Sequence, residues 1–182
     1  MTQFLTEQFP KTKRLVANVY DIASDTWAPS RNITRRYVIP QLWQGQVELN
    51  SYGLDLCARQ SFQGIRSSLE GADLYIFQNC LNELGDTLSA QENVNFLLDV
   101  ARKGSTIMIA DLQYDQNRIF LQNLKEMINR KNDFKVLNQG NSDFTSSLPL
   151  PRVVREKLLI GEDGLIPRSN IQFLFLAARK KE

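Results

Sequence analysis

Two aspartates, Asp21 and Asp55, are the residues of this sequence best placed to do chemistry. Asp21 closes a short apolar segment with the composition of a β-strand, and Asp55 follows shortly after another such segment. In sheets covered by helices, ligands bind at the carboxyl ends of the strands, so both carboxylates are candidate ligand-binding groups. The alternative is that they only close turns, because aspartate is common at strand ends and helix N-caps.

Three further polar side chains follow a third strand-like segment, Leu74–Phe77. Gln78 and Asn79 come directly after it and could orient a substrate, or they could satisfy local backbone groups in a turn. Glu83 lies slightly further on. It is a candidate general base, and the alternative is a surface glutamate at the start of a helix.

Arginines form the third group of candidates. Arg31, Arg35 and Arg36 share roughly one side of a predicted helix. Guanidinium groups in this arrangement could bind an anionic substrate or a phosphate. The alternative is an ordinary solvated helix face.

The composition excludes several classes of catalysis. The chain contains no histidine, which removes Ser-His and Cys-His pairs, a histidine base and most zinc sites. Its net charge of +2 predicts no nucleic-acid-binding footprint, although a local basic patch is compatible with that charge. Cys57 and Cys80 lie in apolar surroundings, which predicts two reduced core thiols.

The length of 182 residues predicts a single domain, 1–182. No apolar run approaches the roughly 18 residues that span a bilayer, so no membrane association is expected. The N-terminus lacks a charged start followed by an apolar core, which indicates that it is no signal peptide. We therefore expect a cytoplasmic protein.

Strand-like and helix-like segments alternate along the chain. Six segments have strand character: Arg14–Tyr20, Gln46–Leu49, Leu74–Phe77, Thr106–Ala110, Phe134–Leu137 and Ile171–Ala178. Helical periodicity marks the stretches around Phe62–Leu69, Val94–Ala101 and Phe120–Ile128, and Thr2–Phe9 is predicted as the end of another helix. This alternation predicts an α/β fold with a doubly wound, mostly parallel sheet.

Two regions interrupt the predicted pattern. Segment 27–45, bracketed by Trp27 and Trp43, is predicted as an insertion or cap that could form a substrate wall. Segment 138–170 begins with a polar stretch and is rich in proline and glycine, which predicts an irregular loop region before the last strand.

Three segments in order resemble the second half of class I S-adenosylmethionine-dependent methyltransferases. Gly71–Leu84 resembles the family's fourth strand, which an aspartate opens and a polar turn follows. Phe96–Leu112 resembles the next helix, its Lys-Gly break and a fifth strand that ends in aspartate. Phe173–Lys180 resembles the closing antiparallel strand. The resemblance implies a Rossmann-like sheet whose last strand is antiparallel.

The resemblance also implies a cofactor site for S-adenosylmethionine. Asp21 and Ile22 match the end of the family's second strand, where a carboxylate receives the two ribose hydroxyls of the cofactor. Asp55 and Leu56 match the end of the third strand, where an aspartate meets the adenine amino group and an apolar neighbour packs on the ring. The spacing between the two aspartates is longer than that expected of the family.

The same resemblance places Gln78 and Asn79 near the amino acid moiety of the cofactor. Glu83, Arg31 and Arg35, singled out above by residue type and spacing, are predicted to bind the methyl acceptor. The acceptor is expected to be a small molecule or a protein, since the sequence lacks the Asn-Pro-Pro-aromatic signature of nucleic-acid amino methylation.

One part of the family pattern is absent. The family's first strand, which is central in the sheet, and its GxGxG-type turn should precede the helix predicted over Thr2–Phe9, but no glycine precedes Gly45. Without that strand, two buried strand edges would each leave unpaired backbone groups that cost about 1–3 kcal/mol apiece. Either the chain is an N-terminally truncated methyltransferase, inactive alone, or it is a degenerate, non-catalytic binding or regulatory module. A second chain or a swapped strand could complete the sheet.

Overall fold

A computed structural model of the protein describes residues 12–42, 45–81, 84, 87–145, 152, 156 and 170–182. The helix predicted over Thr2–Phe9 lies outside the described residues. So do Trp43, Glu83 and most of the stretch 146–169.

All six predicted strands form, and most extend beyond their predicted ends. They are β1 (Arg14–Asp21), β2 (Gln46–Gly53), β3 (Leu74–Gln78), β4 (Thr106–Leu112), β5 (Phe134–Thr145) and β6 (Asn170–Lys180). Several of them, such as LYIF in β3 and TIMIA in β4, contain continuous apolar runs, which is why sequence alone locates them.

The predicted helices that fall within the described residues form as well. They are α1 (Ala28–Ile33), α2 (Ile39–Leu42), α3 (Arg66–Glu70), α4 (Thr87–Val100) and α5 (Asp115–Lys131). A π-helix, Thr34–Val38, joins α1 to α2, and a 3₁₀ helix, Ser61–Ile65, leads into α3. Helix α3 ends at Gly71, as the sequence predicts.

Pairing divides the strands between two sheets. One contains β1 and β2, and the other has the order β3-β4-β6-β5. Strand β6 runs antiparallel to β4 and β5, whereas β3 and β4 are parallel, and so are β1 and β2. This confirms the predicted mostly parallel sheet with an antiparallel last strand.

The division falls where the resemblance predicts the missing central strand. Among the described residues, β1 pairs only with β2 and β3 pairs only with β4, so each has one edge without a partner. A strand paired with both of these edges would join the two sheets into a single seven-stranded one.

Segment 27–45, predicted as an insertion or cap, is mostly helical. It provides the crossover from β1 to β2, which parallel neighbours require. No side chain from Ala28 to Val38 is buried, so this crossover packs little against the rest of the described chain. Its role as a substrate wall stays a prediction.

The start of the segment predicted as an irregular loop, 138–170, is a strand instead. Strand β5 continues to Thr145 and pairs antiparallel with β6, from Asn138 opposite Ala177 to Thr145 opposite Asn170. Asn, Gln and Gly are poor strand formers, but β5 lies at the sheet edge, where polar side chains are favoured and the β6 ladder supplies the hydrogen bonds.

The core lies on one face of the larger sheet. Alternate residues of the central strands, such as Ile107, Ile109 and Leu176, are buried there against α4 and α5. Cys57 and Cys80, both thiols, pack half-buried against the same core. On the other face of the sheet, Leu74, Ile76 and Met108 are 40%, 46% and 44% exposed to solvent.

That exposure differs from the sequence expectation. Runs such as LYIF and TIMIA are typical of strands covered on both faces, whereas the described residues cover only one. Helices packed on a sheet cover its faces, so the exposure of this face is a feature separate from the unpaired edge of β3.

Tyr75 of β3 is buried on the core face, and its hydroxyl donates a hydrogen bond to the Leu69 carbonyl. Burial raises the pKa of this phenol above its ordinary value of 10.0. The unfolded chain therefore loses the proton at lower pH than the folded protein does, so stability should fall as the pH rises above about 10.

We expect the Tyr75→Phe variant to lose this alkaline dependence. Urea unfolding at a series of pH values between neutrality and strong alkali measures it, with Tyr37→Phe as the control because Tyr37 is 62% exposed. An unchanged slope of stability against pH in Tyr75→Phe would show that another group is responsible.

Candidate functional site

Asp21 and Asp55 lie together at the carboxyl ends of two adjacent parallel strands. Asp21 is the last residue of β1 and stands opposite Gly53, the last residue of β2. The backbone N–H of Leu54 donates to the Asp21 carbonyl at 3.3 Å, and Asp55 is the next residue. The structure thus brings the two predicted carboxylates to one edge, despite the long sequence spacing between them.

Each carboxylate is oriented by its own turn. Asp21 Oδ1 accepts the N–H of Ala23 at 2.6 Å, and Asp55 Oδ1 accepts the N–H of Cys57 at 2.8 Å. These are Asx turns, in which an aspartate bonds the backbone two residues ahead. No other hydrogen bond reaches either carboxylate from the described residues, so each keeps an oxygen that can accept from a ligand.

The turn after β1 presents an apolar side chain beside Asp21. Ile22 is 74% exposed. Ser24 behind it is buried, and its hydroxyl lies 3.2 Å from that of Ser51 on β2. The exposed isoleucine on this anchored turn therefore places an apolar side chain beside Asp21 at the carboxyl end of β1.

The loop after β2 is held from the opposite side by Asn93 of α4. Asn93 Nδ2 donates to the carbonyls of Leu56 and Ala58, both at 2.9 Å. Leu56 and Cys57 also pack against the main core. The sequence analysis missed Asn93, although a polar residue four positions before Leu97 on an apolar helix face is a signal that it must be paired.

Gln78 and Asn79 lie at the carboxyl end of β3, as predicted. Asn79 has a left-handed backbone, φ 51°, a conformation that asparagine tolerates better than most residues. Its N–H donates to the Ala110 carbonyl at 3.0 Å, so the turn is fixed to β4. Both side chains are exposed and can meet a ligand.

A buried carboxylate holds the rest of this turn. Asp111 at the end of β4 is fully buried, and its Oδ2 accepts the N–H of Leu81 at 2.7 Å. Its Oδ1 accepts the N–H of Leu112 at 2.8 Å and Asn117 Nδ2 at 3.0 Å. The sequence analysis used Asp111 only as the end of a strand. A charged residue inside an apolar run already signals a paired buried group.

Two of the three candidate acceptor-binding residues, Arg31 and Arg35, lie on the crossover from β1 to β2. Arg31 is half-buried near the start of the crossover, where the chain leaves the carboxyl end of β1, and forms no ion pair with a described residue. Arg35 is exposed, and at a rise of about 1.5 Å per residue it lies about 10 Å along the crossover from Ala28. Glu83 lies outside the described residues.

Two other kinds of site find no support within the described ranges. No group of three or more histidine, cysteine, aspartate or glutamate side chains there could hold a metal ion. No helix among those residues is long and apolar enough to cross a membrane.

Neither a protein-family model nor a curated protein matches the sequence. Solved structures do resemble the fold. A SAM-dependent methyltransferase from Methanosarcina mazei has a TM-score of 0.54 at 9% identity, over 91% of this chain and 82% of that chain.

Two more resemblances have lower TM-scores. A proposed methyltransferase from Bacillus halodurans C-125 has a TM-score of 0.48 at 14% identity, over 95% of this chain and 85% of that chain. The 1,6-didemethyltoxoflavin-N1-methyltransferase of Burkholderia thailandensis was solved with S-adenosylhomocysteine. It has a TM-score of 0.42 at 12% identity, over 100% of this chain and 76% of that chain.

The likeness to the Methanosarcina mazei structure defines the architecture. The chain has the fold of class I S-adenosylmethionine-dependent methyltransferases, as its resemblance to that family predicted. At 9% identity this likeness concerns the fold alone.

Proposed function

We propose that this chain is the larger part of an S-adenosylmethionine-dependent methyltransferase domain. The observation that carries the proposal is the pair Asp21 and Asp55. Both stand at one edge of the sheet, and each is oriented by a turn that leaves one carboxylate oxygen without a partner among the described residues.

The residues at this edge suit the nucleoside part of the cofactor. Asp21 would accept the two ribose hydroxyls, because its Oδ2 has no partner among the described residues and its Oδ1, which accepts the Ala23 N–H, keeps a second lone pair. Asp55 would accept the adenine amino group, with Ile22 and Leu56 providing apolar contact to the ring. Ile22 is exposed enough to make that contact.

Gln78 and Asn79 would lie toward the amino acid moiety of the cofactor. Their exposed side chains stand on a turn fixed to β4 and can donate and accept at once. The bound cofactor would supply the methyl group, and this chain would contribute orientation and proximity to the acceptor. Such a transfer requires no histidine.

We further propose that the central strand and its glycine-rich turn are encoded outside this chain, which makes the chain a truncated form. The edges of β1 and β3 that have no partner strand among the described residues support this view. Leaving such an edge bare costs about 1–3 kcal/mol for each buried unpaired group, against a whole stability of about 5–15 kcal/mol.

The acceptor is proposed to be a small molecule or a protein. The Burkholderia thailandensis structure, named above for its fold, carries 1,6-didemethyltoxoflavin, a small molecule. Arg31 is the better placed of the two predicted arginines, because it is half-buried and lies nearer the carboxyl end of β1. An anionic group on the acceptor would suit it.

A second function, a non-catalytic binding or regulatory module, is favoured by one specific observation. No glycine precedes Gly45, so nothing before that point lets the backbone approach the methionine part of the cofactor as a glycine-rich turn does.

Thermal unfolding with S-adenosylhomocysteine separates these proposals. For this chain alone we expect the midpoint temperature of unfolding to stay unchanged at millimolar ligand. For a version extended by the residues that its genomic frame encodes upstream, we expect the midpoint temperature to rise by several degrees. A shift in the chain alone would contradict the need for an outside strand. No shift in a folded extended chain would favour the non-catalytic module.

A further inference from the structure

Asn93 is a polar side chain in an otherwise apolar part of the protein. It lies in the middle of α4 and is only 2% exposed, between the buried residues Ala90, Val94 and Leu97. A buried amide without partners is costly, so such a residue persists in a core only where its hydrogen-bonding groups are matched.

All the hydrogen-bonding groups of the Asn93 side chain are paired with backbone groups of one short segment. Nδ2 donates to the carbonyls of Leu56 and Ala58, each at 2.9 Å, and Oδ1 accepts the N–H of Phe62 at 3.4 Å. An asparagine amide has two donor hydrogens and an acceptor oxygen. Here both hydrogens and the oxygen are engaged by the segment that follows Asp55.

The Leu56 carbonyl that Asn93 holds belongs to the same peptide group as the Cys57 N–H, inside the turn that orients Asp55, and the Ala58 carbonyl lies at the end of that turn. Within that turn, Cys57 donates its N–H to Asp55 Oδ1 at 2.8 Å, and Ala58 donates its N–H to the Asp55 carbonyl at 3.2 Å. Fixing the carbonyls of Leu56 and Ala58 therefore fixes the peptide groups that aim the carboxylate.

This connection also crosses between the two sheets. Strands β1 and β2 share no ladder with β3–β6 among the described residues, whereas α4 belongs to the core of the larger sheet. The amide of Asn93 thus places the end of β2 relative to that core by hydrogen bonds, which are directional in a way that apolar packing is not.

We propose that Asn93 is a positioning residue for the adenine end of the cofactor site, acting through Asp55 and Leu56. The inference rests on the proposed function for its ligand, an adenine nucleoside. Its structural half, that Asn93 sets the conformation of the Asp55 turn, can be tested without any ligand.

Amide hydrogen exchange measured by NMR on this chain tests the structural half. In Asn93→Leu, the amides of Cys57 and Ala58 should exchange about 10-fold faster or more, although neither is bonded to Asn93. The matched control is Leu97→Ala, which damages the same helix one turn further on at a residue that is 1% exposed.

Equal acceleration at both amides in Leu97→Ala, once corrected for global stability, would overturn the proposal, because Asn93 would then matter only for the fold. If Asn93→Leu does not fold, Asn93→Asp replaces it, since it can still accept from Phe62 but no longer donates two hydrogen bonds when ionised. Failure of both variants to fold would also overturn the proposal.

The second part of the proposal, that Asn93 supports binding of the adenine nucleoside, is tested by measuring the affinity for S-adenosylhomocysteine in the form of the protein that binds it. We expect about 10-fold weaker binding in Asn93→Leu and less than about 2-fold in Leu97→Ala. If the wild type does not bind, the proposed function fails while the exchange result stands. If the wild type binds and Asn93→Leu binds equally well, the positioning role is wrong although the cofactor site is real.

Discussion

Replacing Asp111 with alanine should cost the protein about 4 kcal/mol of unfolding free energy, a large share of the about 5–15 kcal/mol available to a domain. The carboxylate is fully buried and accepts hydrogen bonds from the backbone of Leu81, the backbone of Leu112 and the amide of Asn117. Its removal leaves the N–H groups of Leu81 and Leu112 and one hydrogen of the Asn117 amide without this acceptor, while Asn117 keeps its bond to the Leu112 carbonyl. Each buried donor left unpaired costs about 1–3 kcal/mol.

Urea unfolding followed by circular dichroism measures this loss. Asp115→Ala is the matched control, because Asp115 is an exposed aspartate in the first turn of α5, where only about 0.3–1 kcal/mol from the helix dipole is expected to be lost. Asp111→Asn should fall between the two. A loss below about 1 kcal/mol in Asp111→Ala would contradict the assigned network.

The second large effect concerns Asp21 and the cofactor. In a form of the protein that binds S-adenosylhomocysteine, Asp21→Asn should weaken binding about 100-fold, because two charge-assisted hydrogen bonds to the ribose lose their strength. Asparagine keeps an oxygen for the N–H of Ala23, so the turn should persist and the midpoint of thermal unfolding should hardly move.

Asp25→Asn is the control for this comparison. Asp25 is an exposed aspartate in the same connection, and its side chain forms no hydrogen bond or ion pair with the described residues. Competition titration with a fluorescent adenosine analogue gives the affinities of both variants. Equal binding by Asp21→Asn and the wild type would remove Asp21 from the cofactor site.

Much of the fold could be predicted because its strongest signals are local. Runs such as LYIF and TIMIA locate buried strands, and the period of Val94, Leu97, Leu98 and Ala101 locates α4. The extension of β5 to Thr145 could not be predicted in this way, since its polar residues become a strand only through the distant partner β6.

The same contrast between local signals and distant partners separates the site residues that the sequence predicts from those that it does not. Asp21 and Asp55 are visible in the sequence because each lies at or just after the end of a strand, and their turns use backbone two residues ahead. Asn93 and Asp111 were missed because the partners of Asn93 in the Asp55 loop, and Leu81 among the partners of Asp111, lie 30 or more residues away. A buried polar residue in an apolar pattern shows that a partner exists without showing which one.

The central claim is that Asp21 and Asp55 hold the nucleoside of S-adenosylmethionine once a central strand completes the sheet. Calorimetric titration of the chain extended upstream with S-adenosylhomocysteine tests it most directly. We predict saturable binding of one ligand per chain, with a dissociation constant of about 1–100 μM. A folded extended chain that gives no heat at millimolar ligand, and no binding in competition, would contradict the claim.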